Sequence, residues 1–297
     1  MASLLHSKLS AYITLMRPKQ YIKNFFIFLP PFFTFKLDDP NVIYLCVTAF
    51  IGFSLCASAI YAFNDIYDAP EDRLHKKKRA RPIASGKISN KAAYILAAAL
   101  TCGGGLIMAY LSIEALAVLA LYIVINVAYT IKLKHIAVID IIIIAIGFVL
   151  RLQIGAIVSD AALTHWIIVM TFLLALFLAL AKRREELLIL NRAGVKTRKN
   201  IDEYNLQFTD SAMTLSGGAA ILAYILWSIS PITAERIGSE NVYMTAIFVI
   251  YGVLRYMQLS FVKENGGDPS RLLLSDRPLQ LSIVCWVISF ACLLYLT

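Results

Sequence analysis

Apolar runs long enough to cross a bilayer recur along the chain near residues 12–35, 41–63, 91–111, 114–131, 136–158, 163–181, 211–230, 241–261 and 278–296. Polar and charged residues collect between them. The alternation predicts an all-α polytopic membrane protein with nine transmembrane helices, in one membrane domain over 1–297. Longer polar segments near 64–90 and 182–210 cap one end. Pro30-Pro31 interrupts the first run and predicts a kink there, because proline removes backbone donors.

Composition agrees with this pattern. The 297 residues are 59% hydrophobic and only 16% charged, too apolar for an ordinary soluble domain. The net charge of +9 would suggest nucleic acid in a soluble protein, but here loop charge explains it and no nucleic-acid partner is expected. With the N-terminus in the cytoplasm, all 28 Lys and Arg except Lys36, Arg151 and Arg236 fall on the inner side. That bias predicts an N-terminus inside and a C-terminus outside, for a protein expected in a bacterial inner (plasma) membrane. The five cysteines lie in apolar runs without a C-x-x-C pair, and the four histidines show no ligand spacing.

The densest candidate chemistry is Asn64-Asp65-Ile66-Tyr67-Asp68-Ala69-Pro70-Glu71-Asp72. At about 100° per residue, Asn64, Asp65, Asp68 and Asp72 share one arc of a helix. Three carboxylates on one face repel unless something compensates them, and hard divalent ions such as Mg2+ take oxygen ligands of this kind. Just downstream, Lys76, Lys77, Lys78, Arg79 and Arg81 suit phosphate groups. A solvated charged loop is the plainer reading of the same stretch.

Other polar groups stand out against the apolar runs. Lys23 lies one turn deeper than the interfacial Lys19. Asp140 and Arg151, eleven residues apart, share a face of the fifth span and mark a candidate site, since ionisable groups inside a span usually look to the bundle interior. The plainer alternative has Asp140 capping and Arg151 reaching outward to Asp160. Lys182, Arg183, Arg184 and Glu185 open the second polar segment. Gly103-Gly104-Gly105 predicts close helix packing.

The Asn64–Asp72 stretch matches the N-D-x-x-D-x-x-x-D signature and so resembles the UbiA superfamily of intramembrane polyprenyl transferases. More narrowly, five stretches look like its decaprenyl-phosphate phosphoribosyltransferase branch: Arg17 to Gln20, Lys78 to Gly86, Tyr129 to His135, Gly147 to Arg151, and Lys182 to Leu187. The resemblance implies nine helices around a central cavity opening to the cytoplasm and bilayer. It implies Mg2+ held by Asp65, Asp68 and Asp72, with Asn64 assisting catalysis. The substrates it implies are phosphoribosyl pyrophosphate and a polyprenyl phosphate. Lys23, Lys78, Arg79, Arg81, Tyr129, Lys132, Lys134, Asp140, Arg151, Lys182, Arg183, Arg184 and Glu185 are the expected substrate-binding residues. Members using prenyl diphosphates typically carry a second D-x-x-x-D after the sixth span, and residues 182–210 contain none. An aromatic or haem prenyltransferase is the rival reading within the superfamily. Outside it, the rival is a transporter of an anionic metabolite, for which three clustered acids are a poor path.

Overall fold

Helix boundaries follow local capping chemistry. Ser89, Ser112, Thr164 and Asn205 each turn a side-chain oxygen onto a backbone N–H of the following first turn. Gly194 and Gly238 close two helices in the left-handed conformation, where a missing Cβ removes the steric cost. The computed structural model describes residues 2–74, 78–194, 196 and 198–295. Lys76 and Lys77, and residues 296 and 297 beyond the last helix, lie outside the described residues.

Among the described residues the elements are helical throughout. In order they are α1 (Ala2–Met16), α2 (Leu29–Phe33), α3 (Pro40–Leu74), α4 (Asn90–Leu111), α5 (Ile113–Ile131), α6 (Ile139–Ser159) and α7 (His165–Ala193). They continue with α8 (Leu206–Ser228), α9 (Pro231–Ile237), α10 (Ala246–Phe261), α11 (Pro269–Ser275) and α12 (Arg277–Tyr295). Among the described residues, seven helical stretches are long and apolar enough to cross a membrane: α3 to α8, and Glu240–Phe261, which contains α10. The last expected span appears as a shorter apolar helix.

The expected first span is not one helix. Arg17 adopts a left-handed backbone (φ 53°, ψ 55°), a 3-10 segment runs from Pro18 to Phe28, and α2 begins only at Leu29. Pro30 and Pro31 sit in the first turn of α2, where their missing N–H groups have no intrahelical partner to lose. The prolines therefore start a helix instead of kinking one.

The chain divides into two compact units, one of Met1–Lys134 with Leu150–Ala162, the other of His135–Val149 with Leu163–Thr297. In the first, α3 packs along α4, and the glycine run shows why. A Cβ on Gly104 would overlap the Gly52 carbonyl and the Cys56 sulfur, whereas Gly103 and Gly105 face no such crowding. Gly155 of α6 touches the Ile27 carbonyl just as closely, docking the 3-10 segment. In the second unit α7 packs along α8, and Phe177, Leu180, Met213, Val253, Tyr256 and Leu259 build its core.

Candidate functional site

Helix α3 continues through Asn64–Asp72 to Leu74, so the motif is helical and not a loop. Its two faces have different tasks. Ala62, Ile66 and Ala69, at spacings of four and three, pack with Leu15 of α1 and with Ile83 and Ile88 of the following segment. Burial of that face turns the other one, Asp65, Asp68 and Asp72, toward the basic groups of the same unit.

Each of these carboxylates meets a cation. Arg17 donates from Nη2 to Asp65, and its guanidinium lies 5.2 Å from the centroid of the Tyr61 ring. Arg81 Nη1 bridges Asp65 Oδ1 at 3.1 Å and Asp72 Oδ2 at 2.7 Å. Lys134 donates to Asp68 while lying over the Tyr67 ring. Asn64 Nδ2 donates to Asp68 Oδ2 at 3.0 Å, which fixes the amide beside the acid face. Asp65 and Asp72 are buried, but Arg17 and Arg81 keep 28% and 26% of their side-chain surface exposed. In the pairs of Asp65 and Asp72 the cations are thus the accessible half, whereas Lys134 is more buried than Asp68.

Further along the same unit, Arg151 is buried and runs into aromatic and amide groups. Its Nε donates to Asn24 Oδ1 at 2.8 Å, its Nη2 lies 3.3 Å from the Tyr122 hydroxyl, and its guanidinium faces the Phe53 and Tyr122 rings. Asn24 passes the chain on, donating to Ser54 Oγ at 2.8 Å. Asp160, considered above as a partner for Arg151, lies 3.7 Å from Lys36.

Asp140 belongs to the other unit and to a different network. It accepts from Arg183 Nε at 2.9 Å and from the Tyr204 hydroxyl at 2.6 Å, with Asp140 and Arg183 fully buried. Burial and the bond to Asp140 push the Tyr204 phenol above its usual pKa. Arg183 Nη1 reaches Glu186 at 2.7 Å, and Arg198 approaches the same carboxylate at 3.2 Å. Arg184 is tied to Asp210 and to the Ser260 carbonyl, both at 2.7 Å. Glu185 packs against Gly267. Lys132, Arg79 and Lys182 are exposed, while Lys23, Lys78 and Tyr129 are partly buried and engaged in further interactions.

The expected residues therefore fall into two sets. Asn64, Asp65, Asp68, Asp72, Arg81 and Lys134 come together in one place. Asp140 and Arg151, one helix face by spacing, are each committed to separate partners. Arg17, Asn24, Glu186, Arg198 and Tyr204 also take part in these networks, though none was among the expected residues. Arg17 and Glu186 carried a signal, each lying in a stretch that resembles the phosphoribosyltransferase branch.

Residues 29–284 match the model of the UbiA prenyltransferase family. The chain belongs to the UbiA prenyltransferase family. As such it is a multi-pass membrane transferase. The chain is 32% identical to a decaprenyl-phosphate phosphoribosyltransferase of Mycolicibacterium smegmatis over 295 residues, covering 96% of this chain and 93% of that one. It is 30% identical to the protein of the same name from Corynebacterium glutamicum, covering 96% and 86% respectively. In fold it is similar to a solved UbiA homologue from Archaeoglobus fulgidus bound to GPP and Mg2+, with a TM-score of 0.72 at 18% identity, covering 96% of this chain and 99% of the other. These two chains thus share a helical frame at low sequence identity.

Proposed function

We propose that the protein transfers a 5-phosphoribosyl group from phosphoribosyl pyrophosphate to a polyprenyl phosphate and releases pyrophosphate. The observation that carries this reading is the acid face of α3 interleaved with Arg17, Arg81 and Lys134, a place equipped for both a cation and an anionic leaving group. The choice of donor and acceptor rests on the relatives named decaprenyl-phosphate phosphoribosyltransferase. The missing second acidic pair between 182 and 210 supports it further.

A divalent ion suits the donor set of Asp65, Asp68, Asp72 and Asn64, all hard oxygens within two turns of one helix. Among the described residues no three acids, histidines or cysteines converge as a ready-made metal cage, because each motif carboxylate is turned to a basic partner. Mg2+ bound there would neutralise charge building on the departing diphosphate. The protein's own share is positioning. Asn64 holds Asp68 in orientation, and Arg81, Lys134 and Lys78 offer donors to phosphate oxygens. An acceptor phosphate oxygen attacks ribose C1 as the bond from C1 to the diphosphate oxygen breaks. The acceptor is already anionic at neutral pH, so no strong general base is required.

The test incubates the purified protein with Mg2+, labelled phosphoribosyl pyrophosphate and polyprenyl phosphates of several lengths, followed by lipid extraction. Label is expected in the lipid phase only when both substrates and Mg2+ are present. Label remaining aqueous, or transfer from a prenyl diphosphate instead, would overturn the proposal. The charge distribution supports the orientation with 64–90 and 182–210 in the cytoplasm. Labelling of a cysteine placed at position 80 by an impermeant reagent in intact cells would reverse it.

A further inference from the structure

We infer that Arg17 is a resident counter-ion of the acid face, exchanged for a divalent cation only when a diphosphate arrives to take the guanidinium. The inference rests on the metal reading above and adds a residue and an order of binding to it.

Arg17 is held where it is by an unusual backbone. It is a non-glycine residue in the left-handed region, followed by Pro18, at the break between α1 and the 3-10 segment. Side chains rarely adopt this conformation without compensation from their surroundings. Here the turn carries the guanidinium across the Tyr61 ring to Asp65, 48 residues away in sequence. A basic residue serving only as an interfacial anchor would need neither the strained turn nor a buried partner.

The balance of charge gives the exchange its direction. Asp65, Asp68 and Asp72 pair with Arg17, Arg81 and Lys134, three of each sign. A divalent cation entering this face alone would leave the cluster with excess positive charge and would have to displace Arg17 or Arg81 from Asp65. A diphosphate entering alone would draw Arg17 off Asp65 and leave that buried carboxylate with less compensating charge. When both enter, the metal takes the Asp65 oxygen while Arg17, more than a quarter exposed, turns to the diphosphate. The neutral cluster thereby favours the metal–diphosphate complex over either component.

Mn2+ binding to the purified full-length protein, followed by the electron paramagnetic resonance of free Mn2+ without any substrate, tests the first half. Arg17→Gln is expected to bind Mn2+ about fivefold more tightly than the wild type, since a competing ion pair of partly exposed groups has been removed. The second half is read from labelled pyrophosphate retained at saturating Mn2+, which the same variant should hold about fivefold more weakly. Arg17→Lys keeps the charge without the fork and should move both values in the same directions by less. Unchanged or weaker Mn2+ binding by Arg17→Gln, or unchanged pyrophosphate retention, overturns the exchange. Asp65→Asn separates this from the underlying reading. Loss of Mn2+ binding there with no effect in Arg17→Gln rejects the exchange alone, and unaltered Mn2+ binding in Asp65→Asn rejects both.

Discussion

Two charged clusters, one in each compact unit, use the same residue types to opposite ends. At the motif end of α3, the buried carboxylates of Asp65 and Asp72 are covered by Arg17 and Arg81, which retain a quarter of their surface, so a competing ion can reach those pairs. Around Asp140, both partners of the central pair are fully buried, and a tyrosine supplies the second donor to the carboxylate. The first arrangement is open to exchange. The second locks the start of α6 to α7 and to the segment before α8, and its charges are committed to holding helices in place.

The largest effect is expected from attacking the locked cluster. Asp140→Ala removes one of the two carboxylates that the buried Arg183 pairs with, leaving Glu186, and should cost about 3 kcal/mol of stability, read as a lowered thermal midpoint in detergent. If the variant melts like the wild type, the contrast between the clusters is wrong. Next come Asp65→Asn, Asp68→Asn and Asp72→Asn, each expected to reduce turnover at least about 100-fold, on the order of 2.7 kcal/mol in the barrier, with the melting temperature little changed. Normal rates in all three at saturating Mg2+ would remove the metal site. Gly155→Ala should destabilise the protein by about 1–3 kcal/mol by pushing the 3-10 segment off α6. Proteolysis of the segment before α2 should accelerate accordingly.

The smallest effect sharpens the contrast by pH. Tyr204→Phe removes the hydrogen bond to Asp140 and the one accepted from the Val138 N–H, and should cost about 1–2 kcal/mol near neutrality. Because the folded phenol has a raised pKa, its contribution is complete below the unfolded value of about 10 and fades as pH rises beyond it. The difference between wild type and variant should therefore narrow in alkaline buffers. A gap that widens there would mean that Tyr204 is not the protonated donor.

The acid face was legible in the sequence because a helix repeats every 3.6 residues, and spacings of three and four bring Asp65, Asp68 and Asp72 together whatever surrounds them. The long apolar helices were legible for a similarly local reason. Arg17 was not, since its partner is 48 residues away and its approach depends on a helix break that hydropathy alone does not show. Asp140 and Arg151 show what spacing on one helix leaves open. Their spacing on α6 suggested a shared duty, but Tyr204 and Arg183 claim one and Asn24 and Tyr122 the other, each through contacts distant in sequence. Pro30 and Pro31 were read as a kink because the helix was assumed to precede them, whereas it begins with them.

The bond between Asn24 and Arg151 also sets a clock for biogenesis. The two residues are 127 positions apart. At a synthesis rate of roughly 5–20 residues per second, the N-terminal segment must wait about 6–25 s on the ribosome before its partner has even been polymerised. During that interval Asn24 lacks the donor and Ile27 lacks the glycine against which it will rest. The 3-10 segment can therefore complete its docking only after α6 has begun to emerge, which makes this a late closure in assembly even though the segment is among the first residues translated.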